Sequence, residues 1–361
     1  MIRVLHVLGG LNRGGAETMV MNLYRNIDRT KVQFDFIIHT KEKQDYNDEI
    51  LSLGGKIFTF PSFNLLNIFF LRKIWKSFFK THPEYKILHS HVRSYASIYL
   101  PIAKKNGLIT IIHSHSISNG KGVKSLLKSL LQLPLRKQAD YCFACSEKAG
   151  KWLFGKRTTR QKKFVIVKNG IDLSKFEYDE EIRKKLRVQF GLTGRVVYAS
   201  IGRLHKSKNH KFLLRVFKRI HARDTESRLL IVGDGPLRDS IKKTVDSLGL
   251  NDCVIMKESV SNVAGIYQIA DCVLIPSKWE GLCMVAIEAQ ASGTYVICSD
   301  CVPADVLVTE NIERLELNIK AWVEAANTEK FRKVSCVPAI KKAGYDIKET
   351  SKSIQGFYLS L

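Results

Sequence analysis

The chain has 361 residues, more than a single hydrophobic core ordinarily supports, so two domains of ordinary size are expected. With 45% hydrophobic and 25% charged residues and no low-complexity tract, the composition excludes a disordered chain. The 58 Lys and Arg against 34 Asp and Glu leave a formal net charge of +24, which requires an anionic partner: nucleotide, nucleic acid or an anionic membrane surface.

In chain order, apolar runs of strand length alternate with helix-periodic segments, the pattern of an α/β protein whose parallel sheets are covered by helices on both faces. The opening residues MIRVLHVLGG have neither the apolar core nor the cleavage site of an export signal, and no apolar run reaches bilayer-spanning length, so a cytoplasmic location is expected. Strands are expected at 3–8, 33–39, 56–60, 87–91, 109–113, 141–144 and 164–167, and a second series at 196–201, 228–232, 253–256, 272–275 and 295–298. The turn Asn169-Gly170-Ile171-Asp172 and the charged stretch 174–185 separate the two series, giving domains 1–170 and 171–361. Residues 347–361 form a candidate helix that packs back on the first domain. The eight cysteines are expected as thiols; Cys142/Cys145 and Cys298/Cys301 have zinc half-site spacing, but each pair lies in or beside an apolar strand-like run.

The densest motif is PSKWEGLCMVAIEAQASG at 276–293, after the buried strand DCVLIP. Pro276 stops the strand, Glu280-Gly281 turns, and a helix runs from Cys283 to a cap at Gly293, so its free N–H groups point to the carboxyl edge of the sheet. Glu288 suits a ribose diol and Glu280 suits sugar hydroxyls. The alternative makes Glu280 a solvated loop acid and Glu288 a helix surface residue. At 200–214, SIGRLHKSKNHKFLL brings Gly202, Arg203, Lys206 and Lys208 to a strand end just before a helix, where cations suit phosphate; the alternative is a basic solubility loop. Gly233-Asp234-Gly235-Pro236 links a strand to a helix with Pro236 at its start, a turn in which glycine lets a ligand approach the backbone. Gly14-Gly15 opens an amphipathic helix after the first strand, like a phosphate-binding loop, but without the Lys-Ser/Thr of a P-loop or a GxGxxG pattern. His91, His113 and His115 end apolar strands; each is either a structural histidine or a proton-shuttling group, and His113 ends the strand expected to be central.

In their order, Gly14-Gly15-Ala16-Glu17, Asn169-Gly170-Ile171-Asp172, Gly202-Arg203 with Lys208, Gly233-Asp234-Gly235-Pro236 and the Glu280/Glu288 pair resemble the family 4 retaining glycosyltransferases. The opening RVLHVLGGLNRGGAETMVMNLYRNID is similar to their bacterial exopolysaccharide and capsule branch. The resemblance implies a GT-B fold: two Rossmann-like, doubly wound domains with a cleft between them, the first binding acceptor and the second a nucleotide sugar. It implies that Arg203 and Lys208 bind the donor phosphates, Glu288 the ribose and Glu280 the sugar. Gly202 and Gly233 then lie against the donor, and backbone N–H groups of Gly281, Leu282 and Cys283 approach it. Gly14 and Gly15 close over the diphosphate, and His113 sits beside sugar and acceptor. No metal or other cofactor is implied. Two departures from the family pattern stand out: no glycine in Met256-Lys257-Glu258-Ser259, which bears on base contacts, and Gly281-Leu282-Cys283 where relatives carry a Gly-Phe-Gly-like run, which bears on sugar choice.

Between Ile50 and Ala139 the sole acidic residue is Glu84, so the charge concentrates in the first half. LLNIFFLRKIWKSFFK at 65–80 forms an amphipathic helix with Phe69, Ile74, Trp75, Phe78 and Phe79 on one side and Arg72, Lys73, Lys76 and Lys80 on the other; the stretch from Gly122 repeats the theme. The expected partners are a nucleotide sugar, by the resemblance a UDP-sugar, a lipid-linked saccharide acceptor and the anionic inner face of the cell membrane, with no nucleic acid, for which no binding module is present. The competing activities are a sugar-nucleotide epimerase of the same fold and a basic nucleic-acid- or membrane-binding protein without transferase activity.

Overall fold

The structure, a computed structural model, describes residues 1–116, 123–258, 260, 262–331 and 333–361, without the side chains of 123–125 and 127. It divides into two compact units, Met1–Gly170 with Asp346–Leu361, and Ile171–Tyr345.

The first unit is built on seven parallel strands: β1 (Ile2–Val7), β2 (Val32–Ile38), β3 (Ile57–Thr59), β4 (Ile87–Ser90), β5 (Ile109–Ser114), β6 (Tyr141–Ala144) and β7 (Phe164–Ile166). Their order is β3-β2-β1-β4-β5-β6-β7. The central strand is therefore β4, which corrects the expectation that the strand ending near His113, β5, holds the centre. Among the described residues, seven helices lie in the connections: α1 (Gly15–Asn26), α2 (Asn47–Ser52), α3 (Ile68–Thr81), α4 (Ala96–Lys105), α5 (Val123–Gln132), α6 (Leu135–Gln138) and α7 (Glu147–Thr158). Strands covered on both faces read as unbroken apolar runs, and β2, VQFDFII, is buried at every position.

The one charge in that run is satisfied. Asp35 is fully buried and accepts bonds from Arg3 at 2.5 and 2.6 Å, from the Tyr85 hydroxyl at 2.8 Å and from the Lys56 amide at 2.7 Å. Asp35→Ala strips three donors of their acceptor at once, and urea unfolding should show a loss of about 3 kcal/mol; a loss below about 1 kcal/mol would show that the Arg3 pair carries no more than a surface one.

The second unit holds six parallel strands: β8 (Val197–Ile201), β9 (Arg228–Val232), β10 (Val254–Lys257), β11 (Cys272–Ile275), β12 (Tyr295–Ser299) and β13 (Ile312–Leu315), ordered β10-β9-β8-β11-β12-β13. Strand β13 was not anticipated: it is a sheet edge of sequence IERL, in which charged residues interrupt the apolar signal. The helices are α8 (Leu173–Phe176), α9 (Glu180–Gln189), α10 (His210–His221), α11 (Arg238–Leu248), α12 (Val263–Ile269), α13 (Met284–Ala291), α14 (Ile319–Ala325) and α15 (Val337–Lys342). Pro236 lies in the turn before α11 rather than at its first position. The charged stretch that follows Asp172 folds onto this unit: Arg183 and Arg187 of α9 both pair with Asp271, at 2.5 and 3.2 Å.

The chain then returns to the first unit as α16 (Ile347–Leu359), with Ile347, Ser351, Ile354 and Tyr358 buried at helical spacing. Gly170 has to be glycine, because a Cβ there would stand 2.7 Å from the Ile347 Cα. Helix α3 is placed differently from the expectation for one aromatic residue. Leu71, Trp75, Phe78 and Phe79 are buried, but Phe69 is 86% exposed, and Leu65, Leu66 and Phe70 are exposed with it.

Candidate functional site

In each sheet the connections reverse direction at one pair of neighbours, and in open α/β sheets ligands bind beyond the carboxyl ends of such a pair. In the second unit the pair is β8 and β11. The segment after β8 holds Gly202, Arg203 and Lys208; that after β11 holds Ser277 and Glu280. They are tied together by the Lys278 amide donating to the Ser207 carbonyl at 2.7 Å.

Lys208 donates to Glu280 Oε1 at 2.6 Å, and the Ser277 hydroxyl donates to the same oxygen at 2.7 Å. Ser277 is held in turn by Ser299, whose hydroxyl donates to its carbonyl. Both charges are mostly enclosed, with 21% and 14% of the two side chains exposed. Burial opposes the Lys208 charge, yet Glu280, Cys283 and Glu288 outweigh it and hold the ammonium above its ordinary pKa. The pair lies just before α13, whose N-cap residue Cys283 supplies no side-chain cap; the Ala286 amide donates to the Cys283 carbonyl at 3.1 Å, so only the earlier amides of the turn can serve a ligand. Leu282 packs on the core and Cys283 is buried in it, its thiol pushed up to about 12 by burial, so both can offer a ligand only backbone.

Glu288 belongs to a second group. Its Oε2 accepts from the buried Tyr267 hydroxyl at 2.6 Å. Burial raises its pKa, offset in part by that hydroxyl and by Lys208. Arg203 is exposed and forms no hydrogen bond or ion pair among the described residues. The glycines set how closely the loops pack. A Cβ on Gly202 would meet the Lys208 stem at 3.3 Å, and one on Gly233 would lie 2.1 Å from the Gly202 carbonyl oxygen. Ser277 and Tyr267 escaped the sequence reading; Ser277 has a local signal, standing three residues before Glu280 at a strand end, and Tyr267 has none. Of the base-framing segment, Ser259 lies outside the described residues.

In the first unit the reversing pair is β1 and β4. Beyond β1, Gly14 is the N-cap of α1 without a side-chain bond, and Gly15 has open space about its Cα. His113 is fully enclosed, with Nδ1 3.2 Å from His89 Nε2, so its ring reaches no open face of this unit. It belongs to a group of five, with His6, His89, His91 and the partly exposed His115; of these, periodicity pointed to His91, His113 and His115 and left out His6 and His89. Burial, then the neighbouring rings, hold His6, His89, His91 and His113 well below the usual imidazole value, and burial takes His115 to about 3.

Residues 13–175 match the family model described as Glycosyltransferase Family 4, and residues 181–333 that described as Glycosyl transferases group 1. Over 374 aligned residues, 99% of this chain and 96% of the relative, the sequence is 33% identical to a protein of Bacillus subtilis (strain 168) named as the glycosyltransferase EpsF. It is 31% identical over 139 residues, 38% of this chain and 35% of the relative, to a Campylobacter jejuni enzyme, N-acetylgalactosamine-N,N'-diacetylbacillosaminyl-diphospho-undecaprenol 4-alpha-N-acetylgalactosaminyltransferase. Among solved structures it resembles Anabaena HepE in complex with UDP and glucose, with a TM-score of 0.81 at 17% identity and 100% of both chains covered.

Proposed function

The chain belongs to glycosyltransferase family 4 and carries the GT-B fold, and on that premise we propose that it is a retaining transferase acting between a UDP-sugar and a lipid-linked saccharide, in exopolysaccharide or capsule assembly. The sugar moved is a hexose or N-acetylhexosamine. UDP is the ligand of the HepE structure, and the Campylobacter enzyme's name describes a diphospho-undecaprenol acceptor. The observation that carries the reading is the Lys208–Glu280–Ser277 group at the carboxyl ends of β8 and β11, just before α13.

Lys208 and Glu280 satisfy each other, which keeps two enclosed charges from standing alone. A donor diphosphate takes up Lys208 and the unpaired Arg203, while Glu280 turns to sugar hydroxyls and Glu288, steadied by Tyr267, accepts the ribose diol. Gly202 and Gly233 keep the loops low enough for the donor to lie on the backbone, and amides from Gly281 to Cys283 face the sugar phosphate. The acceptor oxygen attacks the anomeric carbon on the face that the phosphate leaves. The carbon–oxygen bond to phosphate breaks, and a phosphate oxygen takes the acceptor's proton. Arg203, Lys208 and the helix N-terminus supply the positive charge this needs, so the transfer step is metal-independent. No contact with acceptor is assigned to the enclosed ring of His113.

A panel of UDP- and GDP-sugars, read by thermal stabilisation and then by transfer to lipid-linked acceptors, tests the proposal. Stabilisation by a UDP-sugar with acceptor-dependent release of UDP is the expected result. Conversion of the donor without acceptor would assign the epimerase activity instead, and no response to any sugar nucleotide would end the reading.

The same proposal places the protein on the inner face of the cell membrane, from the cytoplasmic side. No helix among the described residues is long and apolar enough to cross a membrane. Helix α3 and the turn before it expose Leu65, Leu66, Phe69 and Phe70 beside Arg72, Lys73, Lys76 and Lys80, and Leu126, Leu130 and Leu133 are exposed at and just beyond α5. Gly122, where that second stretch begins, lies outside the described residues. Apolar tips flanked by cations suit an anionic leaflet. The double variant Leu66→Glu/Phe69→Glu should lower partition onto anionic vesicles about tenfold or more, with donor-induced stabilisation unchanged. Equal partition of variant and parent would remove the membrane assignment.

A further inference from the structure

Five of the ten histidines meet on one face of the first sheet. Register brings them together: His6 of β1 stands opposite His89 of β4, while His91 and His115 follow two residues beyond His89 and His113, on the same face by the two-residue period of a strand. The rings form two chains. In one, His6 Nδ1 lies 3.0 Å from His91 Nε2, and His91 Nδ1 lies 2.8 Å from His115 Nε2. In the other, the Tyr358 hydroxyl lies 2.6 Å from His89 Nδ1, and His89 Nε2 lies 3.2 Å from His113 Nδ1. The surroundings are aromatic: Phe34 and Phe36 pack on His6, and Phe143 on His89 and His113.

Three buried ring nitrogens, His6 Nε2, His113 Nε2 and His115 Nδ1, have no hydrogen-bond partner among the described residues. Leaving a buried polar atom unpaired costs roughly 1–3 kcal/mol, and in rows of neutral imidazoles each unpaired nitrogen is either an N–H or a lone pair, so the cluster as it stands is incompletely satisfied and each triad has lone pairs to offer a ligand. In His6, His89 and His91, and again in His91, His113 and His115, one ring nitrogen of each lies within 4.8 Å of the others. We propose that this cluster binds a single divalent transition-metal ion of the imidazole-preferring kind, with His91, common to both triads, as its fixed ligand.

The donor set fits such an ion. Zn²⁺ and its neighbours in the first transition row favour imidazole nitrogen at about 2.0–2.1 Å. Metal-bound histidines ordinarily donate their second ring N–H to a fixed acceptor. In the inner triad, His89 ligating through Nε2 donates Nδ1–H to the Tyr358 hydroxyl, and His91 ligating through Nε2 donates Nδ1–H to His115 Nε2. Tyr358 belongs to α16, so the ion would fasten the returning helix to β1 and β4 within the first unit. The partly exposed His115 supplies the way in. Burial makes the ion structural, apart from the transfer chemistry.

Tag-free, chelator-stripped protein titrated with Co²⁺ tests this. The expected result is a saturable set of visible d–d bands from a single nitrogen-rich site, a rise in Tm on adding Zn²⁺, and loss of the bands in His91→Gln but not in the surface control His82→Gln. Loss in His6→Gln assigns the inner triad, and loss in His115→Gln the outer one. Absence of bands together with an unchanged Tm in the folded parent overturns the proposal whether or not His91→Gln folds, and so do bands that persist in folded His91→Gln.

Discussion

Lys208→Ala should lower kcat/KM for sugar transfer about a hundred- to a thousandfold, the usual effect of removing one charge-stabilising donor from an active site. The effect is large because the lysine acts on two groups. With its ammonium gone, the leaving phosphate loses a cation, and the mostly enclosed carboxylate of Glu280 is left facing an anionic ligand with only Ser277 to support it. Arg203→Ala, from an exposed position, should cost less. Steady-state kinetics with donor-binding titrations separate the contributions: Lys208→Ala should weaken donor binding and slow turnover, and lower Tm as well, because the enclosed Glu280 carboxylate loses its partner. Parental turnover in both Lys208→Ala and Arg203→Ala would sink the proposed mechanism.

The second large effect concerns stability. Gly233 has φ +143°, where side chains are rarely tolerated, and a Cβ there would lie 2.1 Å from the carbonyl oxygen of Gly202, a backbone atom that no rotamer change can move. Gly233→Ala should therefore cost about 3 kcal/mol or more. For a unit of this size that lowers Tm by roughly 6–12 °C. Gly356→Ala is the opposite case: it is helical, within α16, and has nothing within 4 Å of the Cβ position, so it should stabilise by about 0.5–1 kcal/mol. Thermal unfolding of the two variants beside the parent is decisive, because equal shifts of one sign would show that local packing at Gly233 is not what demands glycine.

Several elements were legible in the sequence because their signal is local. Buried parallel strands read as apolar runs, so β2, β9 and β11 appear almost at their observed limits. The donor segment was equally plain: a strand, Pro276, a turn at Glu280-Gly281, and a helix ended by Gly293 at φ +64°. Strand β13 was hidden because IERL at a sheet edge needs no apolar face. Phe69 was misplaced because helical periodicity says which residues share a side, and not how far the neighbouring structure extends to cover it.

The sequence by itself determined the α/β class, the two series of strands and the residue types that gather at strand ends. Only the tertiary structure decided which of those residues meet. Lys208 and Glu280 are 72 positions apart and form one ion pair because β8 and β11 are neighbours. His6 and His91, 85 apart, share a hydrogen bond because β1 lies beside β4, and Tyr358 reaches His89 across 269 positions because α16 returns to the first sheet. Such pairings follow from sheet order and register, set by the burial of the whole apolar surface at once, and so leave no mark in the local spacing of the residues they join.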